Sequence, residues 1–123
     1  QHVLEPLSGY LVLAQELFLN GDNFVEGWNF GPKDEDCKPV SWILDQMVSN
    51  WGNNASWILD KKNNPHEAVF LKLDCSKAAN RLKWNPKWNL QLTLKSIVDW
   101  HQLYSNGGDI KKQCLKEINA YTK

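Results

Sequence analysis

The chain predicts a helix-rich α/β domain with a few short strands, and three observations carry that prediction. Apolar residues recur at helical spacing over long stretches, as at Val40, Ile43, Leu44, Met47, Val48 and Trp51. Residues that start or stop helices bound these stretches: Pro6, Asn20-Gly21, Pro39, Gly52, Asn89, Asn106-Gly107-Gly108 and Asp109. Brief apolar runs of strand length lie between them.

The first helix is expected to carry Leu7, Leu11, Ala14 and Phe18 on one face. Pro6 suits its first turn, where a missing N–H costs nothing, and Gly21 supplies the left-handed stop. Gly27-Trp28-Asn29-Phe30, closed by Gly31-Pro32, reads as a short strand. After the polar run GPKDEDCK and Pro39, the helix from Val40 to Trp51 is expected to end at Gly52. Ser56 to Leu59 reads as a second strand and DKKNNPHE as a turn-rich loop. Val69 to Leu73 reads as a third strand, with Val69, Leu71 and Leu73 on one face. Asp74 or Ser76 can cap a short helix reaching Leu82, which Pro86 prevents from continuing. Asn89 is expected to cap a helix that turns Leu94, Ile97, Val98, His101 and Tyr104 inward. Asp109 begins a last amphipathic helix with Ile110, Cys114, Ile118 and Tyr121.

The 123 residues are the length of one domain, residues 1–123, with no internal repeat. Lys plus Arg (14) balances Asp plus Glu (14), so no basic excess favours a phosphate backbone, and nucleic acid is not an expected partner. No apolar run approaches the ~20 residues that cross a bilayer, so no membrane association and a cytoplasmic location are expected. Cys37, Cys75 and Cys114 are odd in number and far apart, which fits free thiols better than disulfides or zinc. The chain opens on QHVLEPLSGYLVLA without Met and runs at once into an apolar periodic segment, as a piece of a longer polypeptide would.

The chemistry-bearing motifs are few. There is no G-x-G-x-x-G, G-x-x-x-x-G-K-[ST], H-E-x-x-H or G-x-S-x-G. The seven Trp residues fall at packing periods and are read as core, and His101 as a structural histidine. One irregular loop, Asn64-Pro65-His66-Glu67, places an imidazole beside a carboxylate ahead of Asp74. A carboxylate accepts two hydrogen bonds with a geometry suited to a vicinal diol.

Four segments in collinear order, QHVLEPLSGYL, EGWNFGP, NPHEAVFLKLDCSKA and LKWNPKWNLQLTLKSIVDWH, resemble the C-terminal part of the extended short-chain dehydrogenase/reductase family of nucleotide-sugar enzymes. The resemblance implies a helix-rich substrate-binding lobe, with a Rossmann domain that binds NAD lying N-terminal to it in the whole enzyme. It implies a nucleotide-sugar substrate, CDP-glucose for the dehydratase branch most resembled, and a homo-oligomeric whole enzyme. In that branch the sugar is oxidised at C4, loses water across C5 and C6, and is reduced again at C6. Many relatives carry an Arg-x-x-acid element seven residues before the Asp that opens the Ser-Lys-Ala helix. Counting back from Asp74 puts Glu67 on the ribose-binding acid and Asn64 where the diphosphate-binding arginine would stand. His66 is then a neighbour of the nucleotide, and His2 lies near where the chain enters the cleft. None of Tyr10, Tyr104 and Tyr121 is followed four residues later by Lys, so the resemblance places the catalytic residues and the cofactor outside this chain. The alternatives are another nucleotide-sugar epimerase or dehydratase of that family, or an independent carbohydrate- or protein-interaction module displaying Trp side chains.

Overall fold

The computed structural model describes residues 1–60 and 72–123. Helix α1, Leu4–Asn20, ends where Gly21 enters a positive φ of 57° and returns its N–H to Leu17 O. A 3-10 turn, Gly21–Phe24, follows directly. A second 3-10 turn, Asp34–Asp36, leads through Pro39 into α2, Val40–Trp51, which Gly52 closes at φ 66°. Helix α3 is the short Ser76–Arg81, whose first turn is tied by the Asp74 carboxylate accepting from Ser76 N at 2.9 Å. Helices α4, Leu90–Ser105, and α5, Ile110–Thr122, begin under side-chain caps. Asn89 Oδ1 accepts from Leu92 N and Asp109 Oδ1 from Lys112 N, each at 2.9 Å. Each cap satisfies one of the N–H groups that a helix start leaves without an internal partner. Replacing Asn89 with Ala is therefore expected to cost about 1 kcal/mol, read as a lowered urea midpoint with an unchanged slope.

Among the described residues no segment forms a strand. The runs at 27–30 and 56–59 are extended without a ladder, which corrects the expected short strands, and the third run falls partly on residues outside those described. A strand is defined by its neighbour, and here side chains hold the extended chain instead. Gln1 Nε2 donates to Phe30 O at 2.9 Å, and Asn29 Nδ2 to Asp74 O at 3.1 Å.

Helix α2 packs along α4, and α4 along α5. Leu90, Leu94 and Val98 are buried on the inner face of α4. Phe30, Ala78, Leu82 and Trp84 form a second cluster, onto which Val12, Leu13, Phe24 and Trp28 pack. The Phe30 and Trp84 rings meet edge to face, 5.0 Å between centroids, a favoured arrangement for aromatic quadrupoles. The rim of this cluster is tied by Glu26, whose carboxylate takes hydrogen bonds from Lys77 and Arg81 while Arg81 stacks over Phe24 and Trp28.

Part of the expected inner face of α4, and the apolar face of α1, prove exposed. On α4, His101 and Tyr104 lie on the surface, Tyr104 stacked at 11° on Trp100. On α1, Leu7, Leu11 and Phe18 are 46%, 73% and 89% exposed, while Glu5 and Gly9 are buried. Gly9 faces inward because Phe30 lies directly against it, and any Cβ there would run into the ring. Helical spacing identified an apolar stripe on α1 correctly, but nothing in the described residues covers it.

Candidate functional site

The segment Trp84-Asn85-Pro86-Lys87-Trp88 joins α3 to α4, and its geometry rests on a buried carboxylate. Glu5, fully buried in the first turn of α1, accepts from Trp88 N at 2.7 Å and from Lys87 N at 3.1 Å to each oxygen. Tyr121 Oη donates to Glu5 Oε2 at 2.6 Å, Ser8 Oγ lies 2.9 Å from the same phenol, and Trp84 Nε1 donates to Ser8 Oγ at 2.8 Å. Thus one acid from α1, one phenol from α5 and two N–H groups of the turn are locked together. Lys87 Nζ caps the end of α5 by donating to Tyr121 O at 3.0 Å. Glu5 was not singled out in the sequence, where a glutamate after Val3-Leu4 looks like any first-turn acid; its partners lie more than 80 residues away.

Beside this network the buried His2 faces the half-buried Glu117. His2, 6% exposed, packs its ring on Trp88 at 4.8 Å, accepts from Leu4 N on Nδ1, and turns Nε2 toward Glu117 Oε2 at 3.8 Å. Glu117 Oε1 is held by Ser96 and Gln113, each at 2.9 Å. Burial lowers the His2 pKa from its ordinary 6.5, against the opposing pull of Glu117 and Glu5. Burial and the bond to Glu5 push the Tyr121 phenol up from 10.0 to about 12.

These shifts fix the sign of the pH dependence. His2 binds its proton less tightly in the fold, so its contribution is present above pH 6.5 and is lost as pH falls through the lowered value. Tyr121 binds its proton more tightly in the fold, so its contribution is full below pH 10.0 and lost as pH rises through about 12. The alkaline loss amounts to about 3 kcal/mol at most. Urea midpoints measured across that range should form a plateau with two falling limbs, and Tyr121→Phe should flatten the alkaline limb specifically.

The polar groove on the other side of Trp84 is a cleft of about 460 Å³ between Gly31-Pro32, Lys72, Asp74, Cys75 and Asn85. Lys72 is hydrogen-bonded to Asp34, which raises its pKa, and the Ser76 hydroxyl and N–H hold Asp74 below its ordinary value. The chain enters this groove at Lys72 directly from the segment 61–71. Glu67 and His66, the expected nucleotide-facing residues, and Asn64 lie in that segment, outside the described residues. His2 is not brought to the polar groove. It lines a different, apolar cleft with Leu4, Ile97, Trp100, Cys114 and Glu117. Among the described residues no group of His, Cys, Asp and Glu could hold a metal ion, and no helix is long and apolar enough to cross a membrane.

These features define a helical lobe, braced by buried polar ties and displaying a polar groove and an uncovered apolar helix face among the described residues. The chain is similar to CDP-glucose 4,6-dehydratase of Salmonella typhimurium strain LT2, with 56% identity over 121 residues, 98% of this chain. That match takes in 34% of the relative, so the chain spans about a third of its length. The likeness to nucleotide-sugar enzymes read from the sequence motifs is thus borne out at the level of a particular relative. No family model matches the chain.

Proposed function

We propose that this chain is the C-terminal, nucleotide-sugar-gripping lobe of a CDP-glucose 4,6-dehydratase, residues 1–123 forming that one lobe, and that the remainder of such an enzyme supplies cofactor and catalysis. The observation that carries the reading is the 56% identity across nearly the whole chain to a protein of which it spans only about a third. The uncovered stripe of Leu7, Leu11 and Phe18 supports it, since an apolar helix face of this kind is what a neighbouring domain buries.

In this reading the polar groove beside Trp84 faces the substrate, and the loop at 64–67 closes its nucleotide end. The Glu67 carboxylate accepts from the two ribose hydroxyls, and His66 borders the nucleotide. The residues described here do not make an NAD site. Gly21, Gly52 and Gly107 have positive φ, but each closes or follows a helix instead of opening one after a strand, so none cradles a pyrophosphate. Together with the missing Tyr-x-x-x-Lys, this supports the reading that NAD is held by the remainder of the enzyme. Cytoplasmic deoxysugar synthesis by a homo-oligomeric whole enzyme goes with the same reading.

The chain alone, supplied with CDP-glucose and NAD, is expected to give no turnover; product formation would overturn the division of labour. Calorimetric titration supplies the second arm. CDP-glucose is expected to bind more tightly than free glucose, with Glu67→Gln weakening it about tenfold or more, whereas a response to free sugars alone would indicate an interaction module.

A further inference from the structure

The apolar cleft that His2 lines is chemically unlike the polar groove and lies between the start of α1 and helices α4 and α5. Its volume of about 410 Å³ falls within the range of small-molecule sites. Its walls are Val3, Leu4, Ile97, Trp100 and Ile118, with the faces of His101 and Cys114 at the side. Cys114 Sγ is already engaged, accepting from Trp100 Nε1 at 3.4 Å, which fixes the indole as one wall.

Beside His101 and Cys114, one polar pair is set into that surface, His2 and Glu117. Because Nδ1 of His2 accepts from Leu4 N, a neutral imidazole carries its proton on Nε2. That N–H faces Glu117 Oε2 across 3.8 Å, too far for a hydrogen bond, in side chains only 7% and 12% exposed. A donor and an acceptor therefore stand side by side, the first buried, the second half-buried, and neither bonded to the other. An oxygen bonded to both at ordinary lengths completes the triangle. The group must accept from the imidazole and donate to the carboxylate at once. A hydroxyl does both, whereas an ammonium cannot accept, a ketone or ether cannot donate, and a carboxylate meets Glu117 with like charge.

We propose that this cleft is a binding site for a small ring compound bearing a single hydroxyl, of the phenol class, with the ring between Trp100 and the Ile97 and Ile118 side chains and the hydroxyl between His2 Nε2 and Glu117 Oε2. The apolar walls select against a sugar, whose remaining hydroxyls would be stripped of water with no partner. The site is thus distinct from the groove assigned to the nucleotide-sugar, and its occupation does not depend on that assignment.

The test uses p-cresol, its methyl ether and toluene as probes, with binding followed by saturation-transfer NMR and by the His2 imidazole nitrogen shifts. p-Cresol is expected to saturate with a shift at Nε2, and the ether and toluene to bind at least tenfold more weakly. Ile118→Trp, at a position already 43% exposed on the rim, is expected to abolish p-cresol binding while the melting temperature holds. Glu117→Gln is expected to bring p-cresol down to the level of its ether. Equal binding of all three probes, binding that survives Ile118→Trp, or no saturation by p-cresol at millimolar concentration would each overturn the proposal.

Discussion

Glu5→Ala is expected to cost the fold about 3–5 kcal/mol, the largest effect of any single polar substitution in the chain. The wild-type carboxylate is wholly buried and accepts the N–H groups of Lys87 and Trp88 together with the Tyr121 hydroxyl. Alanine leaves the Lys87 and Trp88 N–H groups without their partner, while the Tyr121 hydroxyl keeps only Ser8, and each stranded group costs about 1–3 kcal/mol. Glu5→Gln separates this account from simple loss of volume. Oε1 receives both N–H groups, while Oε2 receives the phenol and shares the Lys87 N–H, so a glutamine with its oxygen at the first position keeps the turn bonded. Its amide then donates to the Tyr121 oxygen, and Tyr121 in turn donates to Ser8. The expected cost is about 1–2 kcal/mol, well below that of alanine. Thermal unfolding followed by circular dichroism measures both, with Glu5→Ala lowering the midpoint by about 10 °C or more. Equal midpoints for the two variants would mean that the carboxylate does not hold the turn.

Trp84→Ala carries the second large expectation, a loss of about 3–5 kcal/mol. Trp84 is 5% exposed, meets Phe30 edge to face, and donates through Nε1 to Ser8. It therefore belongs to the apolar cluster and to the Glu5 network at once, and its removal opens a cavity and takes one of the hydrogen bonds of Ser8 with it. Trp84→Phe keeps most of the ring contact and loses only the hydrogen bond, so its expected cost is about 1–2 kcal/mol. Equilibrium urea unfolding separates the two variants. Because Trp84 is linked to Glu5 through Ser8 and Tyr121, the double substitution is expected to cost less than the sum of the singles. Strict additivity would show that the two sites stabilise independent parts of the molecule.

Both predictions converge on the stretch LKWNPKWN, whose two tryptophans bracket a proline. Helix α3 ends at Arg81, Lys83 turns the chain at a positive φ of 54° ahead of Pro86, Trp84 goes into the core, and Trp88 covers the His2 ring. The turn is consequently scaffold. It sets α4 and α5 against α1 and, in the proposed enzyme, presents the polar groove beside Trp84 to the substrate.

Local chemistry was legible wherever a residue acts on its own neighbours. Asn89 and Asp109 cap the helices they precede, because a short side-chain oxygen reaches an N–H three residues ahead and needs nothing distant. Gly21 and Gly52 end helices at positive φ because only glycine takes that conformation without a Cβ clash. The same locality explains the failures. An extended run becomes a strand only beside a partner, and those at 27–30 and 56–59 have none among the described residues. An apolar period marks a stripe but does not say which side meets the core, so α1 turned Gly9 inward and left Leu11 and Phe18 outside.

Of the expected site residues, Glu67 and His66 remain proposals resting on resemblance, while His2 is placed in an apolar cleft away from the polar groove. The pairing of His2 with Glu117 could not be read from a linear pattern, because 115 positions separate residues 2 and 117 and neither lies in a recognisable motif.

The amino-acid sequence by itself determined where helices begin and end, the absence of a dinucleotide-binding motif, and the likeness to nucleotide-sugar enzymes, since each depends on residue types at short or fixed spacing. Only the tertiary structure decided that Glu5 is the buried tie between α1, α5 and the turn at Trp84–Trp88, that His2 faces Glu117 rather than the polar groove, and which side of α1 is left uncovered. Burial and long-range pairing depend on how helices rotate and pack against one another, and the free energy that fixes those rotations is shared among residues that no local period connects.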